Sequence, residues 1–325
     1  MRGEHDVVMP FWLDRPDEEA VEIAVAATSA GISTVWVGEM ASFDAFALAT
    51  AIGLRAGPAT LKIGPLAVGV RSPAAIALGV ASVATLTGCA VDLALGASSP
   101  AIVSGWHDRP WAALAPRMRE TVSAVRSILD GQRADFDGEH VRARGFKLRR
   151  PQPASSISVA AFGPAMTRVA AVHADEVVLN LVTPEHVAAV RASIDEQAAA
   201  AGRPAPRLAV WVAAALDPGE LAHAQLAGQL AIYLGAPGYG ELFAQLGFGS
   251  LVERARSGAP RAELHAAVPR ELAAQVAAVG SAEEIGARML EYHDAGADNV
   301  GIVPSTAEDP GGRRVLRALT REAVA

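Results

Sequence analysis

One cysteine, Cys89, stands in 325 residues, so an internal disulfide and a thiolate metal site are both excluded. It lies in Thr87-Gly88-Cys89-Ala90-Val91, between a helical stretch and a strand, and reads as a small buried apolar residue. Lysine is nearly absent. Scattered arginines carry most of the positive charge, and a net charge of −7 without a basic cluster excludes a nucleic-acid footprint. Aromatic residues make up 5%, so a core must rest on Ala, Val, Leu and Ile. The longest apolar stretches, such as Ile76 to Leu86, fall short of the roughly 20 residues of a membrane span. The opening Met1-Arg2-Gly3-Glu4-His5-Asp6 lacks the apolar segment of a secretion signal. These absences give the expectation of a soluble, cytoplasmic protein with no membrane or nucleic-acid partner.

Several catalytic signatures are missing too. There is no Walker A loop and no His-Glu-x-x-His. Gly96-Ala97-Ser98-Ser99-Pro100 lacks the second glycine of a nucleophile elbow. No Gly-x-Gly-x-x-Gly turn appears near the start, which counts against a doubly wound dinucleotide-binding sheet.

What the chain does contain is a regular alternation of short apolar runs and longer amphipathic segments. Strand-length runs occur at Val7 to Trp12, Ser33 to Val37, Leu61 to Val70, Val91 to Leu95, Ser156 to Ala161, Asp175 to Leu181, Arg207 to Ala215 and Asp298 to Val303. Helix starts lie between them: Asp14-Arg15-Pro16, Ser72-Pro73, Gly163-Pro164, Thr183-Pro184-Glu185 and Ser281-Ala282-Glu283-Glu284. Eight strands, each followed by a helix, predict an α/β fold of the (β/α)8 TIM-barrel type spanning 1–325 as one domain. Two segments break the rhythm. Residues 136–144 carry an Asp-Gly turn between alternating residues and read as a surface hairpin. Residues 217–279 form a helix-prone insertion after strand seven, read as a lid over the barrel mouth.

In such a barrel the site lies at the C-terminal ends of the strands. Phe11, Trp12, Glu39, Met40, Gly69, Val70, Ala97, Ser98, Phe162, Gly163, Asn180 and Pro304 fall there. Small residues dominate and ionisable ones are few, which suits a flat ring system better than a metal ion, so no metal is expected.

The stretch from Leu95 to His107, with Leu95-Gly96-Ala97-Ser98-Ser99-Pro100 and then Gly105-Trp106-His107, resembles the fourth strand and following loop of the luciferase-like monooxygenase superfamily. Within that superfamily it is most similar to the branch that uses the deazaflavin coenzyme F420. The resemblance extends from Val35-Trp36-Val37-Gly38-Glu39 to Ala295-Gly296-Ala297-Asp298. It implies that Phe162-Gly163-Pro164-Ala165-Met166 holds the cofactor phosphate, with Asn180 nearby. It also implies a strand-three bulge at Val68-Gly69-Val70, with a cis Gly69–Val70 bond, behind the ring; Ala97 and Ser98 complete the cofactor residues.

The chain departs from its relatives at strand two. Many of them place an acidic residue and then His there; this chain has Glu39-Met40, and a thioether transfers no proton. His107 is therefore the expected proton carrier, with Glu39 orienting a neighbour. Phe11, Met40 and Trp106 are expected to line the substrate pocket. The expected activity is hydride transfer between coenzyme F420 and a small organic molecule, by a homodimer. An FMN-dependent monooxygenase and a catalytically silent flavin- or deazaflavin-binding protein are the alternatives.

Overall fold

The structure, a computed structural model, describes residues 4–39 and 41–322. Its strands are β1 (Glu4–Val8), β2 (Thr34–Val37), β3 (Thr60–Ala67), β4 (Ala90–Gly96), β5 (Asp135–Asp137), β6 (Arg142–Arg144), β7 (Ile157–Ala160), β8 (Glu176–Asn180), β9 (Arg207–Leu216), β10 (Ala277–Gly280) and β11 (Asn299–Pro304). One sheet runs β10-β9-β11-β1-β2-β3-β4-β7-β8, and a further β9–β8 pairing closes it into a parallel barrel. This is the (β/α)8 fold that the alternation predicts. Parallel strands covered on both faces read as unbroken apolar runs, and Val35-Trp36-Val37 and Leu93-Ala94-Leu95 are such runs, all fully buried.

The chain divides into two compact units, Met1–Ile32 with Leu179–Ala189 and Val210–Ala325, and Ser33–Val178 with Val190–Ala209. In the first, Trp12 Nε1 donates to the carbonyl of Pro304 at 2.8 Å, joining the chain after β1 to the end of β11. Buried Glu19 accepts from Arg15, from Thr306 Oγ1 at 2.8 Å and from Gly311 N at 3.0 Å. Gln225, on the helix Glu220–Tyr233, accepts from Ser305 Oγ at 2.8 Å and Thr306 N at 2.9 Å, and donates to Asp14 at 3.1 Å. The helix that opens the 217–279 stretch is thus fastened to the loops after β1 and β11. The last residues of that stretch, read from sequence as part of a helical insertion, form β10, in register with Ala213–Leu216 of β9.

The second unit carries a charged floor. Lys62 of β3 donates to both carboxylate oxygens of Glu176 of β8, at 3.0 and 2.9 Å, and lies 4.6 Å from the Trp36 ring centroid. Ser158 Oγ donates to Glu176 Oε2 at 2.8 Å. Asp92 accepts from Ser156 N at 2.7 Å, and burial pushes its carboxyl above the usual range. These residues occupy the N-terminal halves of their strands, away from the end where barrel chemistry sits. The short antiparallel pair β5–β6 is held by Glu120, which accepts from His140 N at 2.8 Å and Val141 N at 2.9 Å.

Strand three corrects one expectation. Gly69–Val70 is not a cis bond; the cis peptide among the described residues is Gly64–Pro65, at the register shift between Ile63 and Leu66. The chain does turn at Gly69, where φ is +87° and Val70 N donates to Ala67 O at 3.3 Å. No helix of the described residues is long and apolar enough to cross a membrane.

Candidate functional site

In the second unit, β2 ends at Val37 and Glu39 follows at once. Arg71, just beyond the turn after β3, grips both oxygens of Glu39, one of them at 2.7 Å, and also pairs with Asp44. Glu39 Oε1 accepts from Ala45 N at 3.2 Å, and Asp44 Oδ1 accepts from Phe46 N and Ala47 N at 2.9 and 3.0 Å. Two carboxylates therefore cap the helix Ala45–Ala56 and share one guanidinium, which also lies 5.5 Å from the Phe46 ring centroid. Hydrogen bonding to Glu39 raises the Arg71 pKa further, so the cation is permanent. The arrangement orients Glu39 and ties down its lone pairs. Met40, expected in the substrate pocket, lies outside the described residues.

Gly69 is half-buried, and its missing side chain is explained by Arg117: a Cβ would stand 3.2 Å from Arg117 Cδ. Among the described residues Arg117 Nε is buried without a hydrogen-bond partner, and its guanidinium makes a long 3.5 Å contact with the His140 carbonyl. The space beside Gly69 is thus filled by protein, so the turn can meet a ring only by another face, with Val70 half-buried next to it.

After β4 the chain enters a π-helical turn, Ala101–Trp106, a form that recurs at functional sites. Ser98, Asp108 and Ala113 take left-handed φ of 56°, 51° and 51°, strain that persists only where the surroundings enforce it. His107 is exposed, and neither Asp108 nor any other described residue hydrogen-bonds it. Trp106 is 55% exposed, so among the described residues it is a rim group and not a buried wall. Sequence reasoning passed over Trp111. It is half-buried, and its Nε1 donates to the Ala97 carbonyl at 3.0 Å. In a chain so poor in aromatics, two tryptophans in one loop were the available signal.

After β7, Phe162 is half-buried and Gly163, Pro164 and Ala165 are exposed, while Met166 turns its side chain inward. Gly163 has φ +76° and ψ 162°, and nothing stands within 4 Å of where its Cβ would be. Pro164 begins a ten-residue helix to His173, whose first-turn amides face outward at the positive end of its dipole. Open space at a glycine beside such amides fits a phosphate, so these residues could hold a phosphate-bearing cofactor through their main chain.

In the first unit, Phe11 and Asn180 are half-buried at the ends of β1 and β8, and Leu181 takes a left-handed φ of 52°. The Asn180 side chain hydrogen-bonds Tyr239, which the sequence reading did not single out. Among the described residues no group of three or more His, Cys, Asp or Glu is arranged to hold a metal ion.

Comparison with known proteins bears on these features. The sequence profile of the luciferase-like monooxygenase family matches residues 12–299. A Mycobacterium tuberculosis protein named as a coenzyme F420-dependent oxidoreductase is 24% identical, the match covering 92% of this chain and 94% of that one. The coenzyme F420-dependent tetrahydromethanopterin reductase of Methanopyrus kandleri superposes with a TM-score of 0.79 at 17% identity, over 98% of this chain and 97% of that one. The FMN-bound oxygenating constituent of 3,6-diketocamphane monooxygenase from Pseudomonas putida superposes at 0.72 with 18% identity, over 99% and 98%. At such identities the two superpositions establish the fold.

Proposed function

The chain belongs to the luciferase-like monooxygenase family, and on that premise we propose that it is an oxidoreductase moving hydride between coenzyme F420 and a small organic substrate. The observation that carries the reading is the helix start at Gly163-Pro164, with its open cradle and free amides at the C-terminal end of a barrel strand. The full-length similarity to a protein named as an F420-dependent oxidoreductase supports deazaflavin over flavin.

When bound, the deazaflavin supplies the hydride chemistry. The chain's own residues orient, shape and handle the proton. The amides of Ala165 and Met166 would hold the cofactor's phosphate. Ala97, whose carbonyl accepts from Trp111, and Ser98, in the strained loop after β4, would contact the ring together with Gly69 and Val70. Hydride exchange at a carbon beside oxygen requires a proton at that oxygen. His107 carries it, since no protein partner competes for its ring nitrogens among the described residues. Glu39, bound by Arg71, orients the helix start at Ala45. Trp106, at the exposed rim of the loop after β4, would flank the substrate.

The active form is a cytoplasmic homodimer. The adjacent helices Ala45–Ala56 and Pro73–Thr87 expose Leu54, Leu78 and Leu86 at 68%, 52% and 63%, and the second helix contains no charged residue. A surface of this kind is suited to a second copy of the chain. An FMN-dependent monooxygenase is the second reading, favoured by the Pseudomonas putida barrel. The test is the chromophore: protein purified from a host that makes both cofactors should carry deazaflavin absorbance and fluorescence. Bound FMN alone would transfer the protein to the second reading.

A further inference from the structure

Tyrosine occurs three times in the chain, at 233, 239 and 292, and two of the three meet in the stretch between β9 and β10. The rings of Tyr233 and Tyr239 lie with centroids 4.7 Å apart, and Tyr239 also sits 6.4 Å from Phe243. Tyr239 opens a short helix after Gly238, whose φ of +86° sets the turn. Glu241 accepts from Gly238 N at 2.5 Å and pairs with Arg256, so the turn that presents Tyr239 is fixed from both sides. The phenol reaches the side chain of Asn180, the last residue of β8, at the end of the barrel where chemistry is expected.

We propose that Tyr239 and Asn180 together hold an oxygen of an uncharged organic substrate, and so set the substrate class of this site. The inference rests on the oxidoreductase reading above. Phenol and amide each donate and accept, so after their mutual bond the pair still offers both functions to a hydroxyl or carbonyl oxygen. Burial and the neighbouring Tyr233 push the Tyr239 phenol far above its ordinary value, so it meets the substrate as a neutral donor. A carboxylate or phosphate on the substrate would meet a neutral phenol and a neutral amide at this pair, not a cation. A site built around paired neutral donors also rejects analogues that lack the oxygen, because its own polar groups would be left unmatched.

The test uses the full chain with reduced coenzyme F420, whose binding is first measured by fluorescence titration. Ketones, aldehydes and enones are then offered beside the carboxylates of the same carbon skeletons, and oxidation of the cofactor is followed by absorbance. Uncharged carbonyl compounds should be turned over and the carboxylates should not. Tyr239→Phe should lose about tenfold or more in kcat/KM, mostly through KM, with the cofactor Kd within about twofold of the wild type. Asn180→Ala should lose kcat/KM for the same carbonyl compounds to a similar extent. Preference for carboxylates, an unchanged Tyr239→Phe enzyme, or cofactor binding without turnover of any uncharged carbonyl compound would overturn the substrate assignment. Failure to bind coenzyme F420 at all would instead overturn the reading on which it rests.

Discussion

Arg71 holds both carboxylate oxygens of Glu39 across the ends of β2 and β3, and that single pairing separates the two candidates for proton transfer. A carboxylate gripped by a guanidinium and by the Ala45 amide is held in one orientation. An exposed imidazole with no side-chain partner among the described residues is open to solvent and substrate. On the proposed reading, Glu39 positions and His107 carries the proton.

His107→Ala is expected to lower turnover by about 100-fold while leaving coenzyme binding nearly intact. Glu39→Gln keeps the shape but weakens the grip of Arg71, so cofactor or substrate affinity should suffer more than the rate of the chemical step. Single-turnover kinetics beside equilibrium binding separate the two effects. If the loss in the chemical step follows Glu39 and spares His107, the roles are reversed.

The charged floor gives a prediction about stability. Lys62→Met strands Glu176 and Asp92 in the interior and should cost roughly 3–5 kcal/mol in denaturant unfolding. Combining it with Glu176→Leu should recover much of that loss, because the pair is then replaced by apolar volume. Additive losses in the double variant would mean that the pair is not the unit of stability.

Acid sensitivity should trace to His5. Burial, and then the nearby His293, lower its pKa from 6.5 to about 4; the two rings lie with centroids 5.6 Å apart. The unfolded chain takes up this proton below pH 6.5, whereas the folded chain refuses it until about pH 4. Stability from this group is therefore complete above pH 6.5 and falls through the window down to about 4, by on the order of 3 kcal/mol. His5→Phe should flatten that part of the stability–pH curve relative to the wild type. Parallel curves would show that His5 is not the acid trigger.

The dimer has its own test. Sedimentation should show a species of twice the 33.5 kDa chain mass, and Leu78→Arg with Leu86→Glu should return it to the monomer while the fold survives. A wild-type monomer at micromolar concentration would remove the homodimer from the account.

How far the sequence could be read follows from the range of the interactions. The barrel was legible because each strand announces itself locally: Val35-Trp36-Val37 and Leu93-Ala94-Leu95 are apolar wherever the chain goes next. Gly163-Pro164 was legible for the same reason, a helix start written in adjacent residues. The partners of the site were not. Arg71 lies 32 positions after Glu39, and Lys62 lies 114 before Glu176. Neither pair has a local signature, and only strand order brings them together. Tyr239 is hidden in the same way, because its meaning depends on reaching Asn180 from a distant turn. The misplaced cis bond has another origin: resemblance pointed to Gly69, whose positive φ and close neighbour Arg117 account for the glycine without it.

The most direct test of the central claim is equilibrium titration of the purified chain with oxidised coenzyme F420 and with FMN, read by fluorescence, on the wild type and on Gly163→Val. The account predicts tighter binding of the deazaflavin by at least about tenfold, and loss of that binding when a branched side chain fills the cradle at the helix start. Tighter binding of FMN, or a Gly163→Val protein that binds coenzyme F420 as well as the wild type, would contradict it.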